Sequence, residues 1–139
     1  MIKDQKVLLN GVEINNVREV SVKIETPGDR RGIYREPTFA ATVTIVRDAS
    51  EFATAKLFEM ATNEDGRKNI LTSGTLEFHG DDVKEQYSFE LNRYFISNWM
   101  LVNPSSPNAP TLESVVIKVG SLVFSAGGDS ANFDLITFK

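Results

Sequence analysis

The sequence contains no cysteine and only one histidine among its 139 residues. The absence of cysteine excludes disulfide bonds and thiolate metal sites, and an intracellular folding compartment is the simpler expectation. With His79 as the only histidine, a histidine-rich metal site is also excluded. A catalytic triad needs three placed partners, whereas His79 precedes a Gly-Asp-Asp turn, so we interpret it as an exposed turn residue.

Long apolar runs and nucleotide-binding motifs are also missing. No apolar stretch approaches the roughly 20 residues of a membrane-spanning helix, and the first residues lack the apolar segment of a signal peptide. We therefore expect a soluble protein. Neither G-x-x-x-x-G-K-S/T nor G-x-G-x-x-G occurs, and the net charge of -4 argues against a nucleic-acid partner. This inventory predicts no catalysis, no cofactor and no bound metal.

What the sequence does contain is a strand that runs directly into a helix, between Phe39 and Asn63. The strand half alternates between an apolar face and a face of small residues that includes Thr42 and Thr44. At Asp48 the spacing of a capping box begins, so we predict that the helix starts there. Apolar residues then recur at helical spacing, and these are Ala53, Leu57, Met60 and Ala61.

The rest of the chain reads as strands joined by turns and loops. The predicted features are a hairpin at Asn10-Gly11, a long loop from Pro27 to Pro37, a hairpin at Gly80-Asp81-Asp82, a bulge near Arg93 to Phe95, a loop from Asn103 to Pro110 and a last strand from Phe133 to Phe138. At 139 residues, one domain spanning residues 1–139 is the most economical division. We predict a mainly β fold, a β-barrel made of two packed antiparallel sheets with one flanking α-helix.

Two phenylalanines on the predicted helix suggest a surface for a partner. At 100° per residue, Phe52 and Phe58 project toward opposite flanks of the apolar stripe, so both cannot face one flat sheet. Either the helix lies in a deep groove that buries both rings, or a flank meets a neighbouring subunit. The small-residue face of Thr42 and Thr44 likewise suits a subunit contact or the wall of a lumen.

The Pro27 to Pro37 loop carries three arginines, Arg30, Arg31 and Arg35. Such a cluster could bind phosphate or carboxylate groups, although charges on loops bounded by prolines are usually solvated. A partner surface is the better functional alternative. Loops of this length in compact domains are usually functional or mobile.

The order of elements resembles the tube-forming proteins of contractile injection machines. The passage from strand to helix is similar to that of the type VI secretion tube protein Hcp, and the opening strand and Arg30-Arg31 look more like contractile-phage tail tube proteins. The segments that carry the resemblance are Lys6 to Ile14, Ile45-Val46-Arg47-Asp48-Ala49-Ser50 with Leu57 and Met60, Gly74-Thr75-Leu76-Glu77-Phe78, Tyr87-Ser88-Phe89-Glu90-Leu91 and Leu112-Glu113-Ser114-Val115-Val116-Ile117.

The resemblance implies a β-barrel protomer with one flanking helix, six protomers in a ring, and rings stacked into a hollow tube without catalytic activity. The implied partner is the chain itself, as a homohexamer, with sheath and baseplate proteins as further candidates. Assembly would take place in the cytoplasm, and the tube would belong to a virion tail or a secreted or injected apparatus. We predict a ring-stacking loop at Arg30, Arg31, Tyr34 and Arg35, and a subunit interface at Phe52, Phe58, Thr42 and Thr44.

The alternative from another functional class is a monomeric β-barrel or sandwich that binds a small ligand or a peptide. Its pocket would be lined by Tyr94, Phe95 and Trp99. An enzyme is a more distant third hypothesis, because its site would have to be assembled from Asp, Glu and Lys alone.

Overall fold

The computed structural model describes residues 2–24, 41–62, 69–81 and 86–134. Strands dominate these ranges, as the alternating sequence pattern predicts, and one helix interrupts them. The elements are β1 (Ile2–Leu9), β2 (Val12–Ile14), β3 (Val17–Ile24), β4 (Ala41–Asp48), α1 (Glu51–Ala61), β5 (Gly74–Gly80), β6 (Gln86–Val102), β7 (Leu112–Ala126) and β8 (Asp129–Asp134).

All eight strands of the described ranges belong to one antiparallel sheet. Seven of them follow the order β2-β1-β5-β6-β7-β4-β3, and β8 pairs with the second half of β7. The mainly β prediction with one helix is therefore confirmed. The strands form one hydrogen-bonded sheet, however, where we predicted two packed sheets, and closure into a barrel stays a prediction.

The connection between β2 and β3 shows that this sheet is strongly curled. These strands are the two ends of the sheet order, so six strand spacings would separate them by about 29 Å if the sheet were flat. Only Asn15 and Asn16 join Ile14 to Val17, and such a link spans at most about 11 Å. The sheet must therefore bend until its two edges approach each other at Asn15 and Asn16.

The concave side of the curled sheet holds the apolar core. On β4, Ala41, Val43 and Ile45 are fully buried while Thr42 and Thr44 are half-buried, which confirms the predicted alternation. The apolar stripe of α1 also faces the core, where Ala53, Leu57 and Met60 are buried. One continuous cluster contains buried residues from the β2 end of the sheet, from its interior strands and from the helix, and partly buried valines of β3 pack against it, as expected for a sheet that wraps around its core.

The helix begins two residues later than the capping-box spacing predicts. Its N-cap is Ser50, whose own side chain makes no capping hydrogen bond, and Asp48 is the last residue of β4. The Asp48 carboxylate forms an ion pair with Arg18 on β3, and the Ser50 hydroxyl accepts a hydrogen bond from Arg47. The prediction was wrong because neighbouring strands supply stronger partners for both side chains.

Three other predictions concern strand boundaries. The hairpin at Asn10-Gly11 is confirmed, with the positive φ angles of 51° and 80° that this two-residue turn requires. The bulge is confirmed too, because the register of β6 on β7 shifts between Leu91 and Tyr94. The last strand begins at Asp129, four residues before the predicted Phe133, because the tight turn at Gly127 and Gly128 lets it pair with β7 at once; its described residues end at Asp134. Residues 135–139 lie outside the described ranges.

Tyr94 joins β6 to the first hairpin and to the segment before β5. Its side chain is fully buried. Its hydroxyl donates to the carbonyl of Ser73 at 2.6 Å and accepts from the backbone N–H of Asn10 at 3.0 Å. A Cβ at Gly74 would lie 3.0 Å from the Tyr94 ring, so glycine is needed there for the close approach. Burial raises the pKa of the Tyr94 hydroxyl to about 12, and the hydrogen bond from the Asn10 N–H acts in the opposite direction.

This raised pKa predicts a specific alkaline sensitivity. Below pH 10 the tyrosine is protonated whether the chain is folded or unfolded, so its contribution to stability is complete. Between pH 10 and about 12 only the unfolded chain ionises Tyr94, so the free energy of unfolding should fall in this window. Tyr94→Phe should remove that part of the fall and should cost about 0.5–1.5 kcal/mol at neutral pH, because the Asn10 N–H and the Ser73 carbonyl lose the tyrosine hydroxyl but keep their bond to each other. Parallel urea-denaturation profiles of the two proteins from pH 9 to 12 would contradict this.

Candidate functional site

An exposed aromatic pair lies where α1 crosses β6. The Phe58 ring is 49% exposed, which is high for a residue of its size. It meets Trp99 edge-on, with ring centroids 5.1 Å apart and an angle of 73° between the planes. Contacts of this geometry are favourable beyond the area they bury. Three further exposed apolar residues end the same strand, namely Met100, Leu101 and Val102.

Phe52 lies on the opposite flank of the helix. It is 66% exposed, and the Lys56 ammonium stands 5.7 Å from its ring centroid. A deep groove that buries both helix phenylalanines is therefore not observed, and that alternative was wrong. Both rings are available at the surface of the protomer, while their role in a subunit interface stays a prediction.

Directly beneath the aromatic pair lies a buried ion pair that the sequence analysis missed. Arg47 on β4 and Glu113 on β7 are direct cross-strand neighbours, and both side chains are 0% exposed. The Nη1 atom of Arg47 donates to Oε1 of Glu113 at 2.5 Å. Both residues fall in the buried phase of their strands, in line with Ile45 and Val115. The sequence did contain a signal for this pair, because Arg47 and Glu113 each occupy a position in their strand where the alternation predicts an apolar residue.

Every N–H of the Arg47 guanidinium is used within the protein. Nη1 also donates to the Thr54 hydroxyl at 3.0 Å, and Nη2 donates to the Ser50 hydroxyl at 2.8 Å. The backbone carbonyl and the side-chain oxygen of Asn15 accept from Nε and Nη2 at 2.9 and 3.0 Å. A guanidinium has five N–H donors, and these bonds occupy all five. Arg47 thus ties β4 to the start of the helix and to the point where the sheet edges meet.

The Glu113 carboxylate bridges the helix and β6. Its Oε1 atom accepts from the Thr54 hydroxyl at 3.1 Å as well as from Arg47, and its Oε2 atom accepts from the indole N–H of Trp99 at 2.5 Å. Thr54 also accepts from the backbone N–H of Ser50. Because these groups are buried and mutually satisfied, the cluster offers no reactive group to a substrate. The cluster instead joins β4, β6, β7 and the helix through hydrogen bonds.

The other predicted interface residues lie on the outer face of β4. Thr42 and Thr44 are half-buried, and they alternate with the core residues of that strand. The Thr42 hydroxyl accepts a hydrogen bond from Lys118 on the neighbouring strand β7 at 3.0 Å. The structure therefore separates the predicted interface residues into two places, the flanks of the helix and the outer face of β4. The predicted ring-stacking residues, Arg30, Arg31, Tyr34 and Arg35, lie outside the described ranges.

The residues suggested for a ligand pocket are not brought together. Tyr94 pairs with the buried Val119 and faces the core, whereas Phe95 pairs with Lys118 and faces the other side of the sheet. Trp99 is engaged by Glu113 and Phe58. The prediction that Tyr94, Phe95 and Trp99 line one pocket was therefore wrong, because neighbouring residues of a strand point to opposite faces.

A concavity of about 360 Å³ lies beside the junction of the sheet edges. Its lining includes Asp4, Lys6, Glu13 and Asn16, so it is polar and charged, unlike the mostly apolar pockets that hold small ligands. The described ranges contain no group of three acidic, histidine or cysteine side chains placed to hold a metal ion. The same ranges include no helix with the length and apolar character required to cross a membrane.

Comparison with known proteins identifies the fold. The amino-acid sequence matches no protein-family model and no curated protein sequence. The structure does match solved Hcp proteins over nearly its whole length, at low sequence identity. Against Hcp1 from Salmonella typhimurium the TM-score is 0.70 at 11% identity, covering 98% of this chain and 97% of that chain.

Two further matches agree with this fold. For Hcp1 from Flavobacterium johnsoniae the TM-score is 0.65 at 16% identity, covering 94% of this chain and 98% of that one. For a type VI secretion system effector from Yersinia pestis the TM-score is 0.67 at 10% identity, covering 94% and 99%. The resemblance that the sequence indicates is therefore confirmed at the level of the fold.

Proposed function

We propose that the chain is a structural subunit that assembles into hexameric rings, which stack as the inner tube of a contractile injection apparatus. The apparatus is a phage tail, a tailocin or a type VI secretion-like machine. The observation that carries this proposal is the match to Hcp structures over nearly the full length of both chains. The exposed aromatic rings on both flanks of the helix support it, because large apolar groups at a surface favour association.

In this proposal the curled sheet closes into a β-barrel within one domain spanning residues 1–139. The support is the two-residue link that brings the edge strands β2 and β3 together. Arg47 holds this seam by bonding both oxygens of Asn15. Strand edges that stay exposed in the protomer would pair with the next protomer, so that closed cyclic symmetry satisfies them.

The predicted interface residues would supply the side-chain contacts between protomers. Phe58 and Phe52 on the helix, with Thr42 and Thr44 on the outer face of β4, would contact adjacent protomers. These two places lie on different parts of the protomer, and a contact between unlike surfaces repeats around a closed ring when the rotation is right. Six copies then form one ring.

Stacking of rings would use the loop that carries Arg30, Arg31, Tyr34 and Arg35. Its arginines would meet acidic groups of the next ring, so that stacking weakens as salt rises. A variant with alanine at Arg30, Arg31 and Arg35 should form single rings but few tubes. If the variant forms tubes as readily as the wild type, the assignment of the stacking loop is wrong.

The remaining parts of the proposal concern the wider apparatus. The subunit has no catalytic role and no cofactor, and its other partners are sheath and baseplate proteins. It assembles in the cytoplasm and then becomes part of a virion tail or of a secreted or injected tube.

Size-exclusion chromatography with light scattering tests the proposal. A ring subunit should elute with about six times the protomer mass of 15.5 kDa, or more where rings stack. A species of 15.5 kDa at all concentrations would favour the alternative, a monomeric ligand- or peptide-binding β-barrel.

A further inference from the structure

One carboxylate bonds one member of the exposed aromatic pair, Trp99, and also bonds the helix that carries the other member, Phe58. Glu113 bonds the Thr54 hydroxyl through one oxygen and the Trp99 indole through the other. Thr54 precedes Phe58 by four residues, so the two side chains lie one above the other on the same side of the helix. Glu113 therefore connects Trp99 to the part of the helix that carries Phe58.

Packing alone constrains the Trp99 side chain less than packing together with the hydrogen bond to Glu113. The residue is only half-buried, and the ring above it, Phe58, is itself 49% exposed. An indole that is only partly enclosed retains alternative rotamers, and a hydrogen bond to a fixed acceptor selects one of them. The acceptor is fixed because Arg47 bonds the same carboxylate and spends its other donors on Thr54, Ser50 and Asn15.

The ion pair itself is not the simplest way to fill this space. Two buried charges lose their hydration, and an apolar pair of similar volume is often as stable or more stable. What an apolar pair cannot supply is an acceptor for the Trp99 N–H and for the Thr54 hydroxyl. This difference indicates that the Arg47–Glu113 pair orients Trp99 and Thr54 in addition to any contribution to stability.

We infer that Glu113, held by Arg47, is a positioning residue that preorganises the Phe58–Trp99 pair for docking of a second copy of this chain. The second copy as occupant rests on the proposed function. A preorganised surface loses less conformational freedom on binding, so it associates at a lower concentration than a mobile one.

The test uses the only tryptophan of the chain as a reporter. Two variants are compared with the wild type, Glu113→Gln and the double variant Arg47→Met with Glu113→Leu. Arg47 and Trp99 bond different oxygens of Glu113, and glutamine has an acceptor at only one of these two positions. The apolar double variant removes the carboxylate while avoiding an unpaired buried charge. Asp48→Asn is the matched control, because it removes the exposed ion pair with Arg18 from the same strand.

In dilute, monomeric protein we expect lower Trp99 fluorescence anisotropy in both variants and no change in the control. The protomer concentration at half-assembly should rise by up to about tenfold, as expected when a side chain that was fixed beforehand must be immobilised during association, at a cost of about 0.5–1.5 kcal/mol. The denaturation midpoint of the double variant should fall, because the Trp99 N–H, the Thr54 hydroxyl and the Asn15 oxygens lose their partners. Both readouts are therefore taken under conditions in which circular dichroism shows the variant to be folded. Should the double variant fail to fold, Glu113→Gln gives the same two readouts.

If both variants keep the wild-type anisotropy and the wild-type assembly, the inference is overturned, because the Arg47–Glu113 ion pair would then have no role in positioning Trp99. Failure of the proposed function looks different. A wild type that remains monomeric would refute the self-docking surface, whereas the anisotropy of the monomer would still show whether Glu113 orients Trp99.

Discussion

Arg47→Met should lower the free energy of unfolding by about 3–5 kcal/mol, a large part of the stability of a typical domain. The substitution removes five hydrogen bonds from a side chain that is 0% exposed. Glu113 would be left as a buried charge with only the hydroxyl and indole donors of Thr54 and Trp99. Urea denaturation followed by circular dichroism measures the loss.

Arg18→Met is the matched control for this experiment. Arg18 also pairs with a carboxylate, Asp48, but its side chain is 52% exposed and water can replace the lost partner. Exposed ion pairs contribute about 0–1 kcal/mol, so the control should lose less than that amount. Equal losses in the two variants would show that burial of the Arg47 cluster is not what makes it important.

Phe58→Asp should abolish ring assembly while the protomer stays folded. The ring is half-exposed, contacts Trp99 and is not a member of the buried core cluster, so its replacement should leave the core around Leu57 intact. In an assembled interface the new carboxylate would lose its hydration without a partner, and such a buried charge costs several kcal/mol at each contact. Light scattering should find the protomer mass, and circular dichroism should find the wild-type spectrum.

Ser105→Asp is the control for the added charge, because Ser105 is exposed in the connection between β6 and β7, which contains none of the predicted interface residues. It should assemble like the wild type. Loss of the fold in Phe58→Asp would place Phe58 in the core, and assembly of that variant would remove Phe58 from the interface.

Strand and helix positions could be predicted where local pattern and tertiary environment agree. The alternation from Ala41 to Val46 and the helical stripe of Leu57 and Met60 each face one core, so periodicity was sufficient. The Asn10-Gly11 turn is encoded by its own two residues, because they tolerate positive φ angles. Such features depend on few distant partners.

Features that depend on distant partners could not be predicted. The helix start was misplaced because Arg18 and Arg47 take the side chains that would otherwise cap it. The curl of the sheet follows from strand order, which places β2 and β3 at opposite ends, and no local pattern states that order. The Arg47–Glu113 pair needed the register of β4 on β7, although each charge stands visibly in an apolar phase.

Negative-stain electron microscopy of the purified wild-type chain tests the central claim most directly. The assembly proposal predicts rings of uniform diameter with six-fold symmetry and a central hole, some of them stacked into short tubes. The protomers in the ring should contact through the helix flank that carries Phe58. A field of small, featureless particles at concentrations well above micromolar, with a mass of 15.5 kDa in solution, would contradict the proposal that this chain is a tube subunit.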